Sequence, residues 1–324
     1  MKIIHWLVSF NKPTPEIIKN SNLASIRMRL STILNQENYA VTFGDEILNN
    51  PDCIVIGKLI KDVNNSRENL WLHQIIEKKK NGSKIILDYT DNHLGFNSPL
   101  SSFYKKTLFY SDAVTTSSNY LANELKKIVE VPIEVIPDAL EIKPIKPSLK
   151  KNNETNILWF GHSSNIKFLL QFIENWNCTK NKFKLHILTN KMLDISKFYL
   201  PSNLTLEVRT WSIDEMIHTA KICDLAIIPS DPNDPQKAGV SSNRLITALA
   251  LGLPTAADII SSYKEFNEFF IDIRSKQFLN LLNNPDYFHS QVFKAQKEIV
   301  PLFFQDIICQ KWIDFFSKLK SFNQ

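Results

Sequence analysis

The chain has 324 residues, 44% of them apolar and 22% charged, which is the composition of an ordinary folded protein with room for two domains. Its 38 basic and 33 acidic residues leave a net charge of +5, too small to predict nucleic-acid binding. Only seven glycines occur, and none follow the GxGxxG or GxxxxGK[ST] spacing. A glycine-rich phosphate cradle is therefore excluded.

The first apolar run, IIHWLVSF, is short and continues into NKPTP, which predicts a strand rather than a signal peptide. No apolar stretch approaches the ~20 residues of a membrane span. Four cysteines stand far apart, which is typical of reduced thiols. We therefore expect a cytoplasmic protein. Short lysine clusters, such as 78–80 and 105–106, indicate either solvated helix ends or contact with the inner face of an anionic membrane.

Short β-branched runs alternate with helix-like segments through the first half, the pattern of a parallel sheet with helices on both faces. The predicted strands are 3–9, 39–43, 53–57, 84–89, 113–116 and 133–136, and the predicted helices are 23–35, 69–80, 100–110 and 119–128.

The alternation stops in a segment rich in proline, lysine and asparagine, PDALEIKPIKPSLKKNNET, which is typical of a linker. It then resumes with predicted strands at 156–160, 184–189, 204–208, 224–228 and 254–257, predicted helices at 166–176, 212–221 and 242–251, and a helical tail interrupted at Pro301.

These elements predict an α/β protein with two Rossmann-like parallel-sheet domains that face a ligand cleft. We assign residues 1–141 to an N-terminal domain, 142–155 to the linker and 156–285 to a C-terminal domain. We expect the helical segment 286–324 to pack back toward the N-terminal domain. Ligands of such sheets bind beyond the carboxyl ends of the strands, so residues just after strands are the candidates for function.

Two turns of the second half carry such residues. In the stretch from Pro229 to Asp258, a helix begins near Ser241 or Ser242, and Lys237, Gly239 and Arg244 crowd the same end. Helix N-termini and cationic side chains together bind phosphate, whereas an ordinary capped helix with an exposed arginine explains the same residues. The turn ILWFGHSSNIK contains a glycine, Gly161, that leaves room for a ligand to approach the backbone. It also carries polar side chains that can contact a ligand: His162, Ser163, Asn165 and Lys167.

Candidates in the first half follow the strand KIILDY. Asp88, Asp91 and His93 lie at its end or in the next loop, where they either contact a hydroxyl group of a ligand, with Asp91 as a general base, or cap a turn. Arg27 and Arg29 lie near the start of a predicted helix, where arginine opposes the helix dipole.

The order and spacing of SDAVTTSSNYLANELKKI, VPIEVIPDALE, ILWFG, CDLAIIPS and ALALGLPTAA resemble the GT-B glycosyltransferases, in particular the retaining family-four type. The resemblance spans at least residues 88–257. It implies a nucleotide-diphospho-sugar donor bound mainly by the second domain and a glycan or lipid-linked acceptor bound by the first. It also implies transfer with retention of configuration, in the synthesis of a cell-envelope polysaccharide or lipopolysaccharide.

The resemblance assigns residues as well. Gly161 and Lys167 keep the spacing of the family's diphosphate-binding turn, but His162 replaces its arginine, and Arg244 is our candidate for the missing charge. Two family glutamates are replaced by Gly239 and Thr247. The segment KAGVSSNR is expected to take their place, which adds Val240, Ser241, Ser242 and Asn243 to the donor-binding residues. The resemblance places Trp211 against the nucleobase, and Arg27 and Arg29 near the donor diphosphate or an anionic acceptor.

Catalysis must stabilise the charge that develops on the leaving diphosphate. The only candidate for a metal-binding DxD is DPNDP, whose prolines suit a turn better, so we expect no bound metal and assign the catalytic charge to Lys167 and Arg244. Two alternatives remain open: a GT-B enzyme that does not transfer, such as a nucleotide-sugar epimerase, and a non-enzymatic two-domain ligand-binding protein.

Overall fold

The computed structural model describes residues 2–62, 64–149, 154–176, 181–192 and 200–319. Cys178, part of the predicted linker (150–153) and the last five residues of the predicted C-terminal segment lie outside them. Cys53, Cys223 and Cys309 are buried and form no disulfide with another described residue. The chain divides into two compact units. Unit 1 comprises 1–139, 238–241 and 305–324, and unit 2 comprises 140–237 and 242–304.

The sheet of unit 1 has six described strands, all paired in parallel. The strands are β1 (Lys2–Leu7), β2 (Tyr39–Gly44), β3 (Cys53–Ile56), β4 (Lys84–Tyr89), β5 (Ala113–Thr116) and β6 (Ile133–Val135). Their order is β2-β1-β3-β4-β5-β6. The direction of winding reverses between β1 and β3, which makes the carboxyl ends of these two strands the place where an open α/β sheet binds ligands.

The helices of unit 1 cover both faces of this sheet. They are α1 (Pro15–Lys19), a π-helical turn at Ile26–Leu30 continued by α2 (Ser31–Ile33), α3 (Ser66–Lys80), α4 (Ser101–Tyr110), α5 (Asn119–Leu125) and, from the end of the chain, α12 (Gln305–Lys318). The α12 side chains Ile308, Trp312 and Phe316 belong to the same buried cluster as Ile4 and Trp6 of β1. The rings of Trp6 and Trp312 meet edge to face at 5.1 Å.

Unit 2 repeats the architecture with a second six-stranded parallel sheet among its described residues. Its strands are β7 (Thr155–Phe160), β8 (Phe183–Thr189), β9 (Leu204–Thr210), β10 (Leu225–Ile228), β11 (Thr255–Ala257) and β12 (Ile271–Asp272). The order β9-β8-β7-β10-β11-β12 is that of a dinucleotide-binding Rossmann sheet, with its reversal between β7 and β10. The predicted fold class is confirmed.

The described helices of unit 2 are α6 (Ile166–Glu174), α7 (Ile213–Ala220), α8 (Pro235–Ala238), α9 (Asn243–Ala250), α10 (Gln277–Asn283) and α11 (His289–Glu298), with 3-10 turns at Ser163–Asn165, Ser261–Phe269, Pro285–Phe288 and Val300–Phe303. Unit 1 contributes Ala238, the last residue of α8. Residues 286–304 belong to unit 2, whereas α12 belongs to unit 1.

The helix predicted at 23–35 is present from residue 24 to residue 33, with Ile26–Leu30 wound as a π-helix. The short helices α1, α8 and α10 and strand β12 were not predicted, since elements of two to seven residues leave little periodic signal. None of the helices in the described part combines the length and apolarity that a bilayer crossing requires.

Candidate donor and acceptor sites

Unit 2 places the predicted donor residues at the reversal point of its sheet. Gly161 directly follows β7, and its backbone N–H donates to Leu188 O at 3.0 Å. The 3-10 turn and α6 come next, so the amino-terminal end of α6 lies at the carboxyl edge of β7. On the other side of the reversal, β10 leads through a loop into α8 and α9. Parallel strands bring the residues that follow β7 and β10 to one edge of the sheet.

Arg244 lies beside Gly161. A methyl group added to Gly161 would come within 3.3 Å of Arg244 NH1 and 3.4 Å of the Trp159 ring. Because glycine has no side chain, the guanidinium can reach the turn after β7. NH1 is buried and has no hydrogen-bond partner among the described residues. Arg244 therefore brings its charge to the turn where the resembling family carries its arginine.

Two lysines add charge at this edge. Lys167 Nζ lies 4.7 Å from the centre of the Phe168 ring, and Lys237 Nζ lies 5.4 Å from the centre of the same ring. Lys237 also donates to Asn165 Oδ1 at 2.9 Å. Ammonium groups are attracted to aromatic faces, so Phe168 holds both charges at the start of α6. The structure thus brings Lys167, Lys237 and Asn165 together.

The remaining donor-side residues of this turn are held by local contacts. His162 Nδ1 lies 3.0 Å from Ser164 Oγ and accepts from the Ser164 N–H, so the imidazole caps its own turn. Ser163 N donates to Asn190 Oδ1 at 2.8 Å. Sequence reasoning missed Asn190, although it follows β8 and the strand-end rule applies to it. Trp211 is half-buried and donates its backbone N–H to Thr189 O at 2.9 Å.

Three predicted donor-binding residues before α9 belong to unit 1 rather than unit 2: Gly239, Val240 and Ser241. In unit 1, Gly239 O accepts a hydrogen bond from Ser118 Oγ at 3.1 Å. A methyl group on Gly239 would lie 2.4 Å from Leu121 Cδ2, so this glycine permits close packing on α5. Ser242 precedes α9 without a side-chain cap hydrogen bond. Asn243 is the first residue of α9, and Thr247 is buried in it.

The DPNDP segment forms turns. Asp231 Oδ1 accepts from Asn233 N at 2.9 Å, and Asp234 Oδ1 accepts from Gln236 N at 2.9 Å. Across the described ranges, no group of three or more His, Cys, Asp or Glu side chains is arranged to hold a metal ion.

In unit 1, Arg29 and Asp88 form a buried ion pair. The Arg29 side chain is 0% exposed, and its NH2 and Nε lie 2.5 and 2.8 Å from the two Asp88 carboxylate oxygens. NH1 donates to Ile136 O at 2.5 Å. Burial opposes the charge of Arg29, but Asp88 and Asp138 outweigh it and raise its pKa. This ion pair accounts for the burial and charge of both side chains without a bound substrate, and their acceptor-side role stays a prediction. Arg27 is also buried and donates to Ser21 O at 2.5 Å.

Asp91 and His93 lie in the loop after β4. Asp91 Oδ2 is 2.6 Å from Lys58 Nζ, and this carboxylate raises the pKa of Lys58. Sequence reasoning missed Lys58, which follows β3 directly after Gly57. His93 stacks on Tyr104 at 4.6 Å, and its Nδ1 lies 2.8 Å from Ser98 Oγ. Burial lowers the pKa of His93, so the ring is a neutral imidazole at pH 7.

Comparisons with known proteins agree with this architecture. No protein-family model matches the sequence, and no curated protein matches it. Solved structures do match. TarM has a TM-score of 0.56 and 14% identity over 82% of this chain, which spans 54% of TarM. The lipopolysaccharide outer core galactosyltransferase WaaB has a TM-score of 0.57 and 13% identity over 98% of this chain and 100% of its own. A DNA-modifying β-glucosyltransferase has a TM-score of 0.57 and 15% identity over 98% of this chain and 99% of its own.

These likenesses show that the chain has the GT-B fold, the fold of these glycosyltransferases. At 13–15% identity they establish the fold and leave the activity to be argued from the residues.

Proposed function

We propose that the protein is a glycosyltransferase that takes a sugar from a nucleotide-diphospho-sugar donor. The observation that carries this proposal is the position of Arg244, whose guanidinium lies beside Gly161 at the reversal point of the unit 2 sheet. With Lys167 and Lys237 on the Phe168 ring, it forms a cluster of three cations next to two helix N-termini. Such a cluster suits a diphosphate. The DNA-modifying β-glucosyltransferase, whose substrate is uridine diphosphoglucose, supports a donor of this class.

In the proposed reaction, the bond between the anomeric carbon and the diphosphate oxygen breaks, and the acceptor oxygen bonds to that carbon. The acceptor proton passes to the leaving diphosphate. Charge therefore develops on the diphosphate, where Lys167 and Arg244 would stabilise it without a metal ion. On the acceptor side, Asp91, which is paired with Lys58, would accept a hydrogen bond from the acceptor hydroxyl and orient it. Retention of configuration and a cell-envelope glycan as product are further parts of the proposal, supported by the sequence resemblance and, for the glycan, by WaaB.

Nucleotide binding tests the donor site. We expect UDP or GDP to raise the melting temperature of the wild-type protein. Lys167→Ala and Arg244→Ala should each weaken binding of that nucleotide by about tenfold to a hundredfold, the usual value of a charge-assisted contact. Lys221→Ala removes the same charge from an exposed residue at the end of α7 and should leave binding unchanged. Wild-type binding in both site variants would overturn the diphosphate site.

Activity tests the reaction class. The purified protein is incubated with UDP-, GDP- and CMP-sugars, and products are analysed with and without a bacterial glycan fraction. Transfer that continues in EDTA agrees with the proposal, whereas a strict metal requirement contradicts the cation argument. Clean epimerisation of the donor without an acceptor would replace glycosyl transfer by the epimerase alternative.

We further propose that unit 1 contacts an anionic membrane through α4, which would bring the protein to a lipid-linked acceptor. Residues Ser102, Lys105, Lys106 and Phe109 share one exposed helix face, and Phe109 is 81% exposed. An exposed aromatic ring among lysines is typical of a surface that binds lipid headgroups. The protein should sediment with vesicles containing 30% phosphatidylglycerol more than with pure phosphatidylcholine. Lys105→Glu/Phe109→Ser should abolish that difference, and equal sedimentation of wild type with both vesicles would refute the proposal.

A further inference from the structure

Three buried polar atoms near the carboxyl edge of the unit 2 sheet lack hydrogen-bond partners among the described residues. They are Trp159 Nε1, Arg244 NH1 and the Tyr263 hydroxyl. Buried polar groups are nearly always paired, so unpaired ones at one place need an explanation. Trp159 precedes the turn at Gly161, and Tyr263 lies in the 3-10 segment that follows β11. The strands β7, β10 and β11 are neighbours, so these residues share one sheet edge.

Arg244 connects two of these groups. Its NH1 is beside Gly161 and the Trp159 ring, and its positive charge acts on the Tyr263 hydroxyl, although neither NH1 nor the hydroxyl makes a hydrogen bond with a described residue. Burial raises the pKa of Tyr263 while the positive charge of Arg244 opposes the rise, so the hydroxyl is protonated at neutral pH. The residue is 1% exposed, and its ring packs edge to face on Phe270 at 6.2 Å. Tyr263 therefore has little freedom to move.

The surroundings of Arg244 differ from those of Arg29. Two carboxylates compensate the charge of Arg29, whereas Arg244 makes no ion pair with any described residue. The Tyr263 hydroxyl, on which its charge acts, is neutral at pH 7. A carboxylate at that place would fix the guanidinium but also cancel its charge, whereas a tyrosine hydroxyl can fix it and leave the charge available. Since NH1 is buried, the half-exposure of the residue comes from its other atoms.

We propose that Tyr263 is the positioning residue that directs the Arg244 guanidinium toward the phosphate groups of a nucleoside diphosphate. This inference rests on the proposed function. Binding of the diphosphate to the outer side of the guanidinium would draw the guanidinium and the hydroxyl into a hydrogen bond, which neither NH1 nor the hydroxyl makes with a described residue here. Tyr263 itself does not touch the ligand, so its whole contribution to binding passes through Arg244.

A double-mutant cycle tests this dependence, with isothermal titration of UDP, GDP and inorganic pyrophosphate. Tyr263→Phe keeps the ring and removes only the hydroxyl, and it should weaken binding about three- to tenfold, the usual effect of one hydrogen bond. In the Arg244→Ala background the same change should have no further effect. Tyr287→Phe, at an 81% exposed tyrosine of the same unit, is the matched control and should bind like wild type.

The outcomes separate the two proposals. If wild type binds none of the three probes, the proposed function fails, and the role of Tyr263 fails with it. If wild type binds and Tyr263→Phe binds equally well, only the positioning role is overturned. Equal weakening by Tyr263→Phe in both backgrounds, with a lower melting temperature, would assign Tyr263 to general packing and also overturn it.

Discussion

At the scale of single residues, Arg29 and Arg244 have opposite electrostatic surroundings. Arg29 is neutralised by Asp88 and Asp138 in the interior of unit 1, and Thr115 Oγ1 donates to Asp88 Oδ1 at 2.7 Å. Arg244 keeps its charge beside a tyrosine. The first arrangement stabilises a fold, and the second suits an anionic ligand. The sequence alone shows two arginines near helix starts and cannot distinguish them. Asp88 and Asp138, the partners of Arg29, lie 59 and 109 positions away, and Tyr263 lies on a different element from Arg244.

Replacing Arg29 by methionine tests its structural role. The change leaves Asp88 buried without its partner, which should lower the free energy of unfolding by about 3–5 kcal/mol. Arg67→Met is the matched control, because Arg67 pairs with Asp45 at 3.0 Å in a partly exposed position and should cost less than about 1 kcal/mol. Urea denaturation measures both. An Arg29→Met protein that is fully stable but inactive would instead indicate contact with a substrate.

Two buried histidines predict a loss of stability in mild acid. Burial lowers the pKa of His5 and of His186 to about 4, against 6.5 for the free side chain. The unfolded chain therefore binds more protons below pH 6.5. The free energy of unfolding is therefore unaffected by these histidines above pH 6.5. It falls as the pH drops toward 4, by about 2 kcal/mol per histidine at pH 5. Melting temperatures measured from pH 7.5 to 4.5 should show this decline.

The variant His186→Gln has no ring to protonate and should flatten that pH dependence, whereas His73→Gln, at an exposed histidine of α3, should not. Glu207 faces His186 but titrates at lower pH, because hydrogen bonds and charge from Lys184 and Arg209 lower the pKa of Glu207 to about 2. Its contribution is lost only between pH 4.5 and 2. An identical decline in wild type and His186→Gln would contradict the assignment.

At the scale of elements, the long periodic segments were predictable and the short ones were not. The strands 84–89 and 113–116 have the predicted bounds, because runs of buried β-branched residues leave a strong signal. The strand-end rule also directed attention to Gly161 and Asp91. It could not reveal Lys58 or Tyr263 as partners, since their contacts depend on which strands become neighbours. The order of strands is set by tertiary packing, which a single sequence does not display.

The carboxyl end of α9 provides a prediction at this scale. Gly252 follows α9 with φ +79°, and a methyl group there would lie 2.5 Å from Ile145 O. Gly82 has φ +94° but nothing within 4 Å of such a methyl group. Gly82→Ala should therefore cost only the backbone strain, about 1 kcal/mol, while Gly252→Ala adds a collision and should cost at least twice as much. Thermal denaturation compares the two, and equal costs would show that the Ile145 segment yields freely.

At the scale of the whole molecule, helix α12, from the last segment of the chain, packs against β1, from the first. Trp312 packs on Trp6 and lies 5.2 Å from the Arg29 guanidinium, so α12 covers both the β1 face and the buried ion pair. Unit 1 is therefore discontinuous in sequence. Along the chain, unit 2 lies between the first and the last of the three segments of unit 1, and it has a separate buried cluster around Trp159 and Phe183.

Truncation after Phe304 tests this arrangement. The shortened protein loses Ile308, Trp312 and Phe316 from the core of unit 1, a loss of several kcal/mol. Hydrogen exchange should become fast in β1 and β3, while β7 and β8 keep their protection. Native protection of β1 in the truncated protein would show that α12 is dispensable.

The position of α12 also determines when unit 1 can form during synthesis. Domains usually fold in order as they leave the ribosome, at roughly 5–20 residues per second. Residues 1–139 are made before unit 2, but the helix that covers β1 is made only after all of unit 2. The first unit thus waits for roughly ten to thirty seconds with an apolar face uncovered. A chaperone would meet that face only in the nascent chain, and a premature stop codon before Gln305 would leave it exposed permanently.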